Sequence, residues 1–265
     1  MNRFKELYLY FSERVSSRLG KGDCLMPPKR LINAVAGGDF EAVGNEFLGY
    51  FIKYGGLKPD QRVLDVGCGC GRMAVPLMKY LSKEGSYEGF DIMGVAIDWC
   101  QRHIAAQDSR FHFQQADVYN KSYNPRGSHQ PTEYQFPYPT DSFDFVFMTS
   151  VFTHMLSADM QHYLSEIVRI LKPNGRCMIS MFLLNPESQG LMDGGKSRFR
   201  LIIARPDCMI LREDQPENTV GYGEVFIRQC FARNGLEIIE PVHFGSWAGR
   251  TNHLSFQDII LARKA

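Results

Sequence analysis

Three aspartates and a glycine-rich run are the residues of this 265-residue chain whose types and spacing could do chemistry. Asp65 precedes the run Gly67-Cys68-Gly69-Cys70-Gly71, where a side chain at 67, 69 or 71 would block the close approach of a ligand to the main chain. Asp91 follows Gly71 by twenty residues, a spacing at which a carboxylate can accept hydrogen bonds from both hydroxyls of a ribose. Asp117 can accept from an exocyclic amine. These groups predict a site for a ligand that carries a ribose and amines.

Each aspartate comes at the end of a short apolar run that is typical of a buried parallel strand. Strands are expected near 63–66, 87–92, 111–115, 143–148, 177–183, 236–244 and 256–263, and helices near 41–54, 73–81, 94–106, 158–171 and 224–234. Alternating strands and helices predict an α/β fold with a doubly wound, mostly parallel sheet and helices on both faces. The last two strands should be antiparallel neighbours, because no helix separates them.

Helix ends follow from capping residues. Gly55 is expected to be the left-handed C-cap of the helix that begins near Glu41, and Ser157 is expected to be the N-cap of the helix near 158–171. The run Lys172-Pro173-Asn174-Gly175 should end that helix with a turn.

Composition is typical of a globular protein, with 44% hydrophobic and 22% charged residues and a net charge of +1. Near-neutral charge argues against nucleic acid or an anionic membrane as a partner, and the lack of a signal-peptide pattern or a long apolar stretch favours a cytoplasmic location. The seven cysteines are expected to be reduced, and no C-x-x-C or H-E-x-x-H motif supports a metal site.

The expected domain plan has two parts. Residues 1–40 form an amphipathic helix and a linker, and the helix either packs on the core or acts as a lid; residues 41–265 form the main domain. Two insertions in that domain, 119–142 and 184–223, follow the third and fifth strands, at the sheet edge where open α/β folds bind ligands.

Five motifs occur in a characteristic order. They are the segment from Val63 to Gly71, Gly89-Phe90-Asp91, Gln115-Ala116-Asp117, Phe143-Asp144-Phe145-Val146 and Leu171-Lys172-Pro173-Asn174-Gly175. Over about residues 45–183 the chain resembles the class I S-adenosylmethionine-dependent methyltransferases, whose Rossmann-like sheet has seven strands with the last one antiparallel. Arg72, which stands where a dinucleotide fingerprint needs glycine, disfavours a nicotinamide enzyme.

The resemblance implies a cofactor, S-adenosylmethionine, whose product is S-adenosylhomocysteine. It places the loop from Asp65 to Gly71 beside the methionine part and Asp91 on the ribose. The remaining implied contacts are Asp117 to the adenine amine, the Val118 backbone to the ring, Ile92 on an adenine face, and Thr149 and Ser150 near the methyl group.

The sequence says less about the methyl acceptor than about the cofactor. His154 and His243 are the candidate general bases, and each could instead make structural hydrogen bonds. Tyr222, Trp247 and Arg250 could recognise a planar or anionic acceptor, although Trp247 could simply cover the core.

The favoured hypothesis is O-methylation of a small-molecule acceptor by in-line transfer. The alternatives are an RNA or protein methyltransferase and a non-catalytic protein that binds S-adenosylmethionine or acts as a scaffold. The sequence leaves open whether the chain forms a homodimer.

Overall fold

A computed structural model describes residues 25–35 and 37–265. The helix expected in the first twenty residues, and the lid hypothesis with it, lies outside the described residues. The chain divides into two compact units, one ending at Gln130 and the other running from Pro131 to Ala265. The separation of 1–40 from 41–265 stays a prediction.

The first unit alternates helices and strands. Its elements are α1 (Lys29–Val35), α2 (Phe40–Lys53), β1 (Arg62–Val66), α3 (Ala74–Tyr80), β2 (Ser86–Asp91), α4 (Gly94–Cys100), a π-helical turn (Gln101–Ala105) and β3 (Phe111–Gln115). β1 pairs in parallel with β2, and β2 pairs in parallel with β3. Asp65 is paired with Gly89, and Asp91 with Gln115, so the carboxyl ends of the three strands lie along one edge.

The second unit contains the rest of the main sheet and a smaller sheet. Its elements are β4 (Phe143–Met148), a 3-10 turn (Phe152–His154), α5 (Ser157–Ile170), β5 (Leu171–Met181), β6 (Leu183–Leu184), α6 (Pro186–Asp193), β7 (Ile203–Ala204), β8 (Cys208–Ile210), a 3-10 turn (Pro216–Asn218), β9 (Val220–Gly223), α7 (Glu224–Arg233), β10 (Leu236–Ile238), a 3-10 turn (Ser246–Ala248) and β11 (Asp258–Lys264). β4 and β5 are parallel, and β11 is antiparallel to both β5 and β10.

Within residues 25–35 and 37–265, strands β1 to β5, β10 and β11 form one seven-stranded sheet, mostly parallel with an antiparallel end. The predicted α/β fold is therefore confirmed. A four-stranded sheet in the order β6-β9-β8-β7 occupies the 184–223 insertion, which the sequence had not predicted. No helix in the described part of the chain is long and apolar enough to cross a membrane.

Burial explains why the strand segments fold as they do. Val63, Leu64 and Val66 of β1 are fully buried, as a strand covered on both faces requires. Before α2, the Asp39 side chain accepts a hydrogen bond from the Ala42 amide and caps the helix. The buried face of α2 includes Phe47 and Phe51, at helical spacing.

Three expected boundaries are corrected by the structure. The left-handed residue after α2 is Gly56 (φ 66°), because the Gly55 amide still bonds the Tyr50 carbonyl oxygen and the chain reverses one residue later. Ser157 begins α5 rather than capping it, since Leu156 holds the extended N-cap position. The Lys172–Gly175 turn falls within β5, as an irregularity in its pairing with β4.

The part of the first insertion that belongs to the second unit, residues 131–142, is held against α5 by an ion pair. Glu166 accepts from the Phe136 amide at 2.7 Å and from Arg169 Nη2 at 2.7 Å. Arg169 in turn donates to the carbonyl oxygens of Phe136 and Tyr138 at 2.9 and 2.8 Å. The side chains of one helix thus bind the backbone of this loop and fix its course.

Candidate functional site

The glycine loop between β1 and α3 adopts backbone conformations that favour glycine. Gly67, Gly69 and Gly71 have φ values of 81°, 53° and 79°. A Cβ atom at position 69 would stand 2.4 Å from Val35 Cγ1, and one at 71 would stand 2.4 Å from Ile104 Cδ1. Packing within the protein therefore requires glycine at positions 69 and 71, whether or not a ligand approaches the loop.

Asp91 ties the glycine loop to the end of β2. Its Oδ2 accepts from the Gly69 amide and its Oδ1 from the Met93 amide, each at 2.8 Å. Burial raises the pKa of Asp91, and these amide donors act in the opposite direction. Each carboxylate oxygen has two lone pairs, so Asp91 retains capacity to accept from two hydroxyls.

Asp65 is a buried carboxylate with an unusual shortage of donors. It is 1% exposed, and its Oδ2 accepts from the Tyr87 hydroxyl at 2.8 Å. Its Oδ1 is buried and has no hydrogen-bond partner among the described residues. Burial raises the pKa of Asp65 to about 8, the Tyr87 hydrogen bond lowers it, and Asp91 raises it. An unsatisfied buried acceptor in this place fits a cofactor that brings an ammonium group.

Asp117 lies next along the same edge, after β3. It is exposed, and its Oδ1 accepts from the Ser128 amide at 3.1 Å. Hydrogen bonds from the Ser128 side chain and from this amide hold the pKa of the Asp117 carboxyl below its usual range. Ala116, the preceding residue, donates its amide to the Asp91 carbonyl oxygen at 2.9 Å. The structure thus brings the three predicted acids to neighbouring strand ends.

The remaining predicted residues of the first unit have mixed surroundings. Ile92 is half-buried, and Val118 is buried with its carbonyl oxygen accepting from Nδ2 of the Asn124 side chain at 2.9 Å. Cys68 is buried, and its sulfur lies 3.9 Å from the Gly69 carbonyl oxygen. In the described ranges no group of His, Cys, Asp and Glu side chains could hold a metal ion.

Ser150, in the second unit, has a left-handed backbone with φ 61° and belongs to a closed hydrogen-bond network. Its amide donates to Ser180 Oγ at 2.9 Å, Ser180 Oγ donates to Gln257 Oε1 at 2.6 Å, and Gln257 Nε2 donates to Ser150 Oγ at 2.9 Å. A strained residue persists where its surroundings over-determine it, as at many functional sites. Thr149 is half-buried beside it.

His154 ends the 3-10 turn that follows β4. Its Nδ1 lies 3.1 Å from the Glu217 carbonyl oxygen, which can only accept, so the proton of the neutral ring sits on Nδ1 in this contact, and the Asn218 backbone makes a second hydrogen bond to the ring. Burial lowers the pKa of His154, which favours that neutral form near pH 7. These properties suit a general base.

His243 lies in the segment between β10 and β11. It exchanges two backbone hydrogen bonds with Ile259 of β11, and burial lowers the pKa of its half-buried side chain. The structure therefore explains its backbone position, and its catalytic role stays a prediction.

The three residues expected to bind the acceptor have hydrogen-bond partners within the protein. Tyr222 is fully buried and donates to the Met155 carbonyl oxygen at 2.5 Å, beside His154. Trp247 is fully buried and donates from Nε1 to Asp258 Oδ2 at 2.7 Å. Arg250 is 8% exposed and donates to Glu187 at 2.8 Å. Their polar groups make hydrogen bonds inside the protein, and their role in acceptor binding stays a prediction.

Tyr87, Ser180 and Gln257 hold predicted site residues, yet sequence reasoning missed them. Tyr87 could have been found from the alternation of β2, which places it on the same side as Gly89. Gln257 carries no local signal, since its partner Ser150 is 107 residues away in sequence.

Comparisons with known proteins agree with this geometry. Residues 63–175 match a family model described as a methyltransferase domain. The 27-O-demethylrifamycin SV methyltransferase of Amycolatopsis mediterranei (strain S699) is 28% identical over 51% of this chain and 43% of its own length. The tRNA N(3)-cytidine methyltransferase of Gallus gallus is 27% identical over 48% of this chain and 31% of its own length. The matched region thus spans less than half the length of either relative.

A solved structure shares the fold. The crystal structure of an S-adenosylmethionine-dependent methyltransferase from Methanosarcina mazei aligns with a TM-score of 0.55 and 19% identity, covering 80% of this chain and 96% of that one. Sheet topology, the matched family model and the ordered motifs lead to the same assignment. The chain carries a methyltransferase domain at residues 63–175, with the Rossmann-like fold of the S-adenosylmethionine-dependent methyltransferases.

Proposed function

We propose that this chain binds S-adenosylmethionine at the strand ends of its first unit and transfers the methyl group to an oxygen of a small-molecule acceptor. The observation that carries the proposal is the pair of carboxylates at the glycine loop. Asp91 is bonded to the loop through the Gly69 amide, and Asp65 lies buried with an unsatisfied oxygen.

Each carboxylate then has a distinct role in binding. Asp91 accepts from the ribose hydroxyls with its remaining lone pairs, and Asp65 Oδ1 accepts from the ammonium of the methionine part. Asp117, whose Oδ1 also accepts from the Ser128 amide, accepts from the adenine amine. The Val118 backbone and the Ile92 side chain contact the adenine ring.

When bound, S-adenosylmethionine supplies a methyl group on a positively charged sulfur, which an acceptor oxygen takes by in-line displacement. Thr149 and Ser150 line the methyl end. His154, whose Nδ1 lies 3.1 Å from the Glu217 carbonyl oxygen, removes the acceptor proton. His243 is the second candidate for this role.

The small-molecule acceptor is supported by two observations. The Amycolatopsis relative is named for methylating 27-O-demethylrifamycin SV, and the net charge of +1 gives no general attraction to nucleic acid. A cytoplasmic location belongs to the same proposal. The Gallus relative, named as a tRNA methyltransferase, favours RNA as the second candidate acceptor.

Two measurements test the proposal. Isothermal titration calorimetry with S-adenosylhomocysteine should detect one site in the wild-type protein, and the lack of any binding would favour a non-catalytic scaffold. Radiolabelled S-adenosylmethionine is then supplied with a panel of phenols and with unmodified tRNA, with His154→Gln as the control that removes the base. Transfer to tRNA alone would overturn the small-molecule assignment.

A further inference from the structure

Tyr87 is a buried phenol that the cofactor contacts proposed above do not use. Its ring stacks on Phe111 at 4.9 Å with an interplanar angle of 19° and contacts Phe113 at 5.4 Å. A Cβ atom at Gly89 would stand 3.0 Å from the Tyr87 hydroxyl oxygen, so glycine there makes room for the ring. Packing on several sides fixes the position of the phenol oxygen.

The Tyr87 hydroxyl has one proton, and it is donated to Asp65 Oδ2 at 2.8 Å. This hydrogen bond fixes the rotation of the Asp65 carboxylate, and it leaves Oδ1 as the oxygen without a partner among the described residues. The carboxylate therefore has one oxygen held by the protein and one available to a donor from outside it.

The titratable groups that face Asp65 are Tyr87 and Asp91 on β2, Cys68 in the glycine loop and Cys100 on α4. None of these groups carries a positive charge. A buried carboxylate gains most from a cationic donor, and the described groups around Asp65 do not supply one.

We propose that Tyr87 is a positioning residue of the cofactor site, which holds the Asp65 carboxylate so that Oδ1 receives the ammonium of the methionine part. This inference rests on the proposed function. It assigns to the buried face of β2 a part in binding the amino-acid end of the cofactor.

Proton linkage follows from this arrangement. Burial raises the pKa of Asp65 to about 8, so the carboxyl is largely protonated near pH 7 without a ligand, and ammonium binding favours its ionised form. Binding should release a proton at pH 7, and affinity should rise as pH increases toward 8. Loss of the Tyr87 hydroxyl removes a contact that lowers this pKa, and this moves the whole profile to higher pH.

Tyr87→Phe tests the inference by calorimetry with two ligands, S-adenosylhomocysteine and 5′-methylthioadenosine, the second of which lacks the amino-acid part. We expect the variant to bind S-adenosylhomocysteine about tenfold more weakly at pH 7, the lower end for a hydrogen bond to a charged group. Affinity for 5′-methylthioadenosine should not change. Tyr80→Phe is the matched control, because the Tyr80 hydroxyl donates to the Leu57 carbonyl oxygen outside this site.

Proton release, measured in two buffers of different ionisation enthalpy, supplies a second readout. It should disappear in Asp65→Asn, which cannot ionise. An equal loss of affinity for both ligands in Tyr87→Phe would overturn the inference, since it would mean general loosening of the site. An unchanged affinity and pH profile would overturn it as well. Failure of the wild-type protein to bind S-adenosylhomocysteine would instead reject the proposed function.

Discussion

Asp65 and Asp258 are both buried carboxylates, yet the protein supplies them with hydrogen-bond donors very differently. Asp258, at the start of β11, accepts from the amides of Leu183 and Gly245 at 2.6 Å each and from Trp247 Nε1 at 2.7 Å. Asp65 accepts from one hydroxyl, and its other oxygen has no partner among the described residues. Burial raises the pKa of both carboxyls, to about 6 for Asp258 and about 8 for Asp65.

The number of donors separates a structural carboxylate from one kept for a ligand. Asp258 joins β11 to Leu183 of β6 and to Gly245 and Trp247, which precede β11 in the chain. These donors offset the cost of burying the carboxylate. In the protein without a ligand, much of the cost of burying Asp65 is not offset by donors. This is the pattern expected of a group whose hydrogen bonds are completed by a ligand.

The largest effect should come from Asp258→Ala. Three buried donors lose their acceptor, so we expect a loss of about 3 to 5 kcal/mol in the free energy of unfolding and a fall in Tm on the order of 10 °C. Thermal unfolding measures this effect. The affinity of the folded variant for S-adenosylhomocysteine should stay the same, and a stable variant that had lost affinity would reverse the contrast.

Asp91→Ala should remove the ribose contacts. We expect cofactor affinity to fall tenfold or more, from the loss of about 1.5 to 3 kcal/mol of hydrogen bonding to a charged group. Calorimetry with S-adenosylhomocysteine measures it, and Asp98→Ala on the exposed side of α4 is the control. Wild-type affinity in the Asp91 variant would remove this residue from the ribose role.

Asp65→Asn should change how the stability of the unliganded protein depends on pH. A carboxyl whose pKa is about 8 when folded and near 4 when unfolded costs nothing at low pH, and its cost grows as pH rises between these values. The wild-type Tm should therefore fall more steeply from pH 5 to 8.5 than that of the variant, and the difference between the two should be largest at the upper end. Parallel Tm profiles would show that Asp65 is not an unfavourable buried charge.

The smallest effect concerns backbone strain. Ser150 and Asn174 both have φ 61°, where glycine relieves on the order of 1 kcal/mol. Asn174→Gly should raise Tm slightly and leave methyl transfer unchanged. Ser150→Gly should change Tm little, because it also loses the Gln257 hydrogen bond, but it should lower kcat. If the two variants had the same kcat, Ser150 would have no role at the methyl end of the cofactor.

The carboxyl edge of the first unit was predictable because it depends on local patterns. The periodicity around Val63 and Phe113 identifies strands, and parallel pairing brings Asp65, Asp91 and Asp117 to one edge. The hydrogen bond from Tyr87 depends on a particular rotamer, and that from Gln257 on a distant segment. Sequence periodicity carries neither kind of information.

The small sheet of the second insertion could not be predicted from the sequence for a physical reason. Its strands have two to four residues, too few for a recognisable period, so the small sheet was not expected. That region has a core of its own, in which Trp247 packs with Phe182 and Leu201. An aromatic residue in such a core looks, in sequence, the same as one that faces a ligand.

Two thiols converge on the glycine loop, since the sulfur of Cys100 lies 3.6 Å from the Gly69 carbonyl oxygen and that of Cys68 lies 3.9 Å from it. Burial raises the pKa of both thiols well above the ordinary value, so neither supplies thiolate near neutral pH. Alkylating reagents can reach them only when the loop opens. The rate of alkylation of Cys68 and Cys100 therefore reports how often the loop opens, and bound cofactor should lower this rate.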